Sequence, residues 1–200
     1  MTAPNFLAPA PAGKPAIIMG GSGRCVSHGE IETESNRWTH FLNGRGIRSG
    51  DIVALCLENA PELLIIAVAA QRSGYICLPI SSKLTARELA FIVEDSGARI
   101  LITSPAIGGA FTALPDALPG TLLVTLGDAC AGFECWHDHS AFLPTDRNGP
   151  EVMGGEMLYS SGTTGRPKGI RYERKAGEGG GAVQSAAAML AKMGIGASDV

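Results

Sequence analysis

Between Leu158 and Ile170 the chain reads LYSSGTTGRPKGI, and eight of these thirteen residues are Gly, Ser, Thr or Pro. Such residues bury little apolar surface, so the stretch is poor core material. Its chemistry is that of an anion cradle. Ser160, Ser161, Thr163 and Thr164 bring hydroxyl donors that rotate to meet an oxygen. Gly162, Gly165 and Gly169 permit positive φ and let an anion approach backbone N–H groups with no side chain in the way. Lys168 supplies a compact ammonium, Arg166 a planar fork, and Pro167 between them fixes φ. A Ser/Gly/Thr run is ordinarily a solvated loop. The order of hydroxyl, glycine and cation after an apolar approach favours a site for a multiply negative group such as a triphosphate tail.

Two common phosphate motifs do not match. G-x-x-x-x-G-K-S/T fails because Lys168 is preceded by Pro167 and followed by Gly169, and there is no G-x-G-x-x-G turn. The stretch instead resembles the phosphate loop of the acyl-adenylate-forming (AMP-binding) enzymes, which include acyl-CoA synthetases, luciferases and peptide-synthetase adenylation domains. Their pattern is an aromatic residue followed by T/S-S-G-T/S-T-G-x-P-K-G, and Tyr159 to Gly165 with Pro167, Lys168 and Gly169 fit it. Upstream, GIRSGDIVALCLENAPELL and AAQRSGYICLPISSKLTARELAFIVEDSGARILIT resemble that family's first two strand–helix units. The style of the loop is most similar to bacterial acyl-CoA synthetases.

The resemblance implies a reaction in which ATP and a carboxylate give an acyl-adenylate and pyrophosphate, after which a thiol such as coenzyme A takes the acyl group. It implies that Ser160, Ser161, Gly162, Thr163, Thr164 and Lys168, with Gly165 in the same loop, hold the β- and γ-phosphates, and that Mg2+ accompanies the nucleotide. No catalytic residue is assigned. Family members are much longer, and their later motifs have no counterpart before Val200. The chain is therefore expected to be an N-terminal fragment of an AMP-forming acid–thiol ligase, with little or no adenylating activity alone. Residues 1–15 are expected to be a flexible segment and 16–200 a partial adenylation domain.

Composition sets outer bounds. The chain has 200 residues, 45% hydrophobic and 18% charged, as in an ordinary globular protein, and a net charge of −3. That balance disfavours nucleic acid and anionic membranes as partners, so anion recognition must be local. The longest apolar run, Leu63 to Ala70, has eight residues, against roughly 18 needed to span a bilayer. The N-terminus shows neither a basic segment nor an apolar run of the secretory kind. A cytoplasmic location is the expectation.

The elements that must position the loop are legible in outline. GGSG between Ala16–Met19 and Arg24–Val26 reads as a hairpin. Ser27 with Glu30, and Thr85 with Glu88, have the S/T-x-x-E spacing of a capping box and should open two helices. The first should turn Ile31, Trp38, Phe41 and Leu42 inward, the second Leu89, Ile92 and Val93, ending at Gly97. A helix from Pro61 should be buried, being apolar nearly all round. Asp51–Leu57, Tyr75–Ile80, RILIT, TLLVTL and Met157–Ser160 read as short strands, with a short helix expected around Ala106–Leu114. Cys130–Glu151 reads as a surface loop, Ala176–Gly181 as flexible, and Ala182–Met193 as a helix. Short apolar strands alternating with helices predict an α/β fold, a mostly parallel sheet flanked by helices, here an incomplete N-terminal portion of an adenylation domain.

Two rival readings compete. Cys130, Cys135, His137 and His139 offer thiolates and imidazoles that suit a small metal site, although C-x4-C-x-H-x-H is not a standard zinc spacing. The other rival is a catalytically inactive remnant, or a partner-dependent binding module, self-associating through apolar surface that an unfinished sheet leaves exposed. His28 and His40 read as surface residues and Trp38 as a core anchor.

Overall fold

The structure, a computed structural model, describes residues 10–105, 112–128, 130–150, 152–160 and 167–172. A hairpin of β1 (Pro15–Ile18) and β2 (Cys25–Ser27) leads into α1 (His28–Gly44). Ser27 Oγ accepts from the Glu30 N–H and the Glu30 carboxylate accepts from the Ser27 N–H, so the expected capping box closes. It satisfies donors that a helix start otherwise leaves orphaned. β3 (Ile52–Cys56), α2 (Pro61–Arg72), β4 (Ile76–Pro79), α3 (Ala86–Ser96) and β5 (Ile100–Thr103) then alternate as the periodicity predicts. The second capping box, Thr85 with Glu88, opens α3, and Gly97 closes it in the left-handed region at φ 69°, where a Cβ would be strained.

The order across the sheet is β7-β6-β5-β3-β4-β8-β9. Its members after β5 are β6 (Leu122–Thr125), β7 (Glu134–Cys135), β8 (Gly155–Ser160) and β9 (Lys168–Tyr172). Every neighbouring pair is parallel except β8 with β9, which is antiparallel. The central strands are buried on both faces, as parallel sheets must be. Val53, Leu55, Ile100, Ile102 and Val124 face α1 and α2, while Ile52, Ala54, Cys56, Leu101 and Leu123 face α3 and the short helix α4 (Leu114–Ala117). The odd–even alternation of the strands thus divides one apolar run between two cores.

One expectation needs correction and another is tested only in part. Of the short helix expected around Ala106–Leu114, residues 106–111 lie outside the described set, and the helix described there is α4, Leu114–Ala117. Pro115 suits a first turn, and burial of Leu114 and Leu118 against α3 fixes where the turn begins. Cys130–Glu151 is not merely a surface loop. β7 pairs with β6, α5 (His137–Ser140) follows, and Trp136 stacks on Trp38 with ring centroids 3.7 Å apart and planes 7° apart. Phe41 meets both indoles edge-on. Burying two indoles together outweighs the polar character of the flanking residues. The expectations for Ala176–Gly181 and Ala182–Met193 fall outside the described residues.

Candidate functional site

β8 carries the loop. It lies parallel to β4, with Ile76 opposite Gly155 and Cys77 opposite Glu156, so its C-terminal end emerges at the edge where the parallel strands end. In open α/β sheets that is the edge where ligands gather. The chain turns back into β9, and the ladder runs from Glu156–Tyr172 through Leu158–Ile170 and Tyr159–Gly169 to a last pair, Ser160 with Lys168. The first hydroxyl of the motif and its ammonium are therefore cross-strand neighbours at the mouth of the turn. Residues opposite one another in such a ladder project to the same face, with Cβ atoms roughly 5 Å apart. Both side chains are exposed to solvent. Ser161, Gly162, Thr163, Thr164 and Gly165, with Arg166, lie outside the described residues. Their seven-residue connection, completed by Pro167, begins and ends at that pair.

Gly169 departs from its expected role. It sits inside β9 opposite Tyr159 and is not among the glycines with positive φ, so it does not serve the cradle by reaching an unusual conformation. What it supplies is space: a Cβ there would fall 2.5 Å from Met157 Cε and 3.0 Å from Cζ of the Tyr159 ring. Met157 and Tyr159 pack on the α3 side of the sheet. The Tyr159 hydroxyl donates to Asp95 Oδ2 near the end of α3 at 2.6 Å. Burial, then the hydrogen bond and charge of Asp95, push that hydroxyl well above the usual phenol range, which keeps it a donor. Asp95 could not be recognised as a partner from sequence alone, because 64 residues separate it from Tyr159.

Among the described residues the opposite face of the same two strands is only partly covered. Leu158 is 42% and Ile170 46% exposed, and they are ladder partners. Two hollows lie elsewhere. One of about 610 Å³ opens near Glu58, Ser104 and Trp136; another of about 250 Å³ is lined by Ser35, Thr39 and Arg72; neither includes Ser160 or Lys168. Arg72 in the second forks onto Glu32 at 2.8 and 2.9 Å. Burial opposes charge on Glu32, but Arg72 and then Arg147 outweigh it and hold the carboxyl below its ordinary range. That is a structural tie between α1 and α2.

The four residues of the metal rival are not assembled. Cys135 is buried and its thiol donates to the Gly127 carbonyl at 3.0 Å. His139 Nε2 lies 3.4 Å from Glu134 and 3.3 Å from Arg45. Among the described residues no group of three His, Cys, Asp or Glu side chains is placed to hold a metal ion. The cysteines are free, with Cys56 and Cys77 buried and, by that burial first, pushed up to about 11 and about 12. Among the described residues no helix is long and apolar enough to cross a membrane.

The chain is similar to known proteins in sequence and in fold. The model of a family described as AMP-binding enzyme matches residues 7–176. A fatty acid–acyl-carrier-protein ligase, ScoC, of Streptomyces coeruleorubidus is 33% identical over 156 residues, covering 78% of this chain and 29% of the relative. A 3-hydroxybenzoate–CoA ligase of Aromatoleum sp. (strain CIB) is 28% identical over 172 residues, covering 80% of this chain and 31% of the relative. Among solved structures, the anthranilate CoA ligase AuaEII in complex with anthranoyl-AMP superposes with a TM-score of 0.72 at 26% identity, over 80% of this chain and 32% of that one. The chain spans about a third of the length of each of these relatives.

Proposed function

The chain belongs to the AMP-binding enzyme family, and from that premise we propose that it supplies the triphosphate-gripping part of an AMP-forming acid–thiol ligase of the acyl-CoA synthetase type. One observation carries the reading: Ser160 and Lys168 close the loop as a cross-strand pair at the carboxyl edge of the sheet. An alcohol and an ammonium held side by side can receive phosphate oxygens on one front, and loop hydroxyls and N–H groups supply the rest.

The chemistry asks mainly for positioning and charge. A carboxylate must approach the α-phosphate of ATP against like charge, and pyrophosphate must leave. Lys168 offsets charge on the departing group, while Ser160, Ser161, Thr163 and Thr164 donate to its oxygens and Gly162 and Gly165 bring no side chain that would keep an anion from the backbone. Donors fixed before the reaction act without reorganising during it. Mg2+ fits as a companion of the phosphates, because the hydroxyls are hard oxygen donors and Mg2+ usually keeps phosphate and water ligands instead of an all-protein cage. When bound it supplies charge neutralisation at the phosphate oxygens. The acid substrate and the acceptor thiol, coenzyme A or a carrier protein, belong to the same proposal, as does a cytoplasmic location.

Calorimetric titration of the 200-residue chain with ATP tests it. Lys168→Ala is expected to weaken ATP binding about tenfold, as removal of one charge-assisted contact would. Equal affinities for the two proteins would overturn the reading.

A further inference from the structure

We propose that Asp95 is a positioning residue for Ser160 and Lys168, the pair that closes the phosphate loop, acting through Tyr159, whose ring lies against Gly169 and whose hydroxyl donates to Asp95 Oδ2 at 2.6 Å. The inference rests on the phosphate reading of the loop and names what holds that closing pair in place.

The need for such a device follows from the topology. Among the described residues β9 is the last strand of the sheet and pairs with β8 alone, and the terminal Ser160–Lys168 pair is where an edge hairpin frays. On one face of the hairpin the described residues give little support, since Leu158 and Ile170 are exposed there. Support has to come from the α3 side. Tyr159 provides it to both strands at once: it belongs to β8, and the absent side chain of Gly169 lets its ring lie across β9. Each of the two residues is next in sequence to a loop-closing residue, Ser160 or Lys168.

The far end of the clasp is firm. α3 buries Leu89, Ile92 and Val93 and ends on Gly97, so Asp95 stands on an anchored last turn, at the far end of the helix from Thr85. With the clasp made, the donors at the loop's two ends are ordered before a triphosphate arrives. Without it, the ligand must order those residues itself, at about 1–2 kcal/mol of backbone entropy for each residue fixed. The alternative is an exposed hydrogen bond of little consequence, which many such contacts are.

The two are separated by comparing ATP affinity with stability. Tyr159→Phe keeps the ring on Gly169 and removes only the hydroxyl; Asp95→Ala removes the acceptor. Each is expected to weaken ATP binding by calorimetry about threefold to tenfold, and the double variant by no more than either alone, because both act through one contact. Thr85→Ala, which loosens the start of α3, is expected to lower the melting temperature while leaving ATP affinity at the wild-type value. Wild-type affinity in Tyr159→Phe and Asp95→Ala, alongside weakened binding in Lys168→Ala, overturns the clasp and spares the phosphate reading. Unchanged binding in Lys168→Ala overturns both. A loss of affinity in Thr85→Ala equal to that in Tyr159→Phe also overturns the clasp, since it reduces the effect to general destabilisation.

Discussion

At the scale of single residues, Gly169 shows how one motif position can serve two masters. Read in sequence, it is one of three glycines that let an anion near the backbone; in the fold it is a gap in β9 that the Tyr159 ring and Met157 fill. Gly169→Ala should therefore act through the strand. The new methyl meets Met157 Cε at 2.5 Å, a flexible tip that can move, and the Tyr159 ring at 3.0 Å, which has less freedom. A loss of about 1–3 kcal/mol in urea unfolding is expected, the usual cost of overpacking. A variant as stable as wild type would show that the ring does not depend on the gap. Lys168 and Ser160 were legible as types in an order; that they face one another was not, because register belongs to the ladder and not to the spelling.

At the scale of elements, local rules performed well and long-range ones set the exceptions. Both capping boxes form because every atom involved lies within four consecutive residues, so their sequence spacing is their geometry. The apolar faces of α1 and α3 turn inward as their periodicity predicts, including Trp38, Phe41, Leu89 and Ile92. β7 and α5 carry no local signal in the sequence that demands them. Trp136 is surrounded by polar residues in sequence, and its partner Trp38 is 98 positions away on α1. Trp136→Ala is expected to cost about 3–5 kcal/mol, the range for emptying a buried aromatic site, and to release β7 from β6. Hydrogen exchange at Trp136 N–H, which bonds the Thr125 carbonyl at 2.9 Å, would report that release. Exchange as slow as in wild type would argue that the pairing holds without the indole.

At the scale of the whole molecule, the sheet is well covered at its centre and thinly at the β8–β9 end. Leu158 and Ile170 lie exposed beside one another there, an apolar patch in a protein whose other large side chains are mostly buried. We expect the 200-residue chain to self-associate through it. Light scattering should give a mass above 20.6 kDa that falls in the Leu158→Ser, Ile170→Ser variant. A wild-type chain already monomeric would remove the idea. The sequence by itself determined the α/β class, the starts of α1, α2 and α3, the two-faced strands and the composition of the phosphate loop, because these depend on neighbours a few residues apart. Only the tertiary structure decided which strands lie side by side, that Ser160 meets Lys168, that Tyr159 reaches Asp95, and that Leu158 and Ile170 are exposed together. Those outcomes join residues far apart in the chain, and their geometry is set by how the whole sheet packs against its helices.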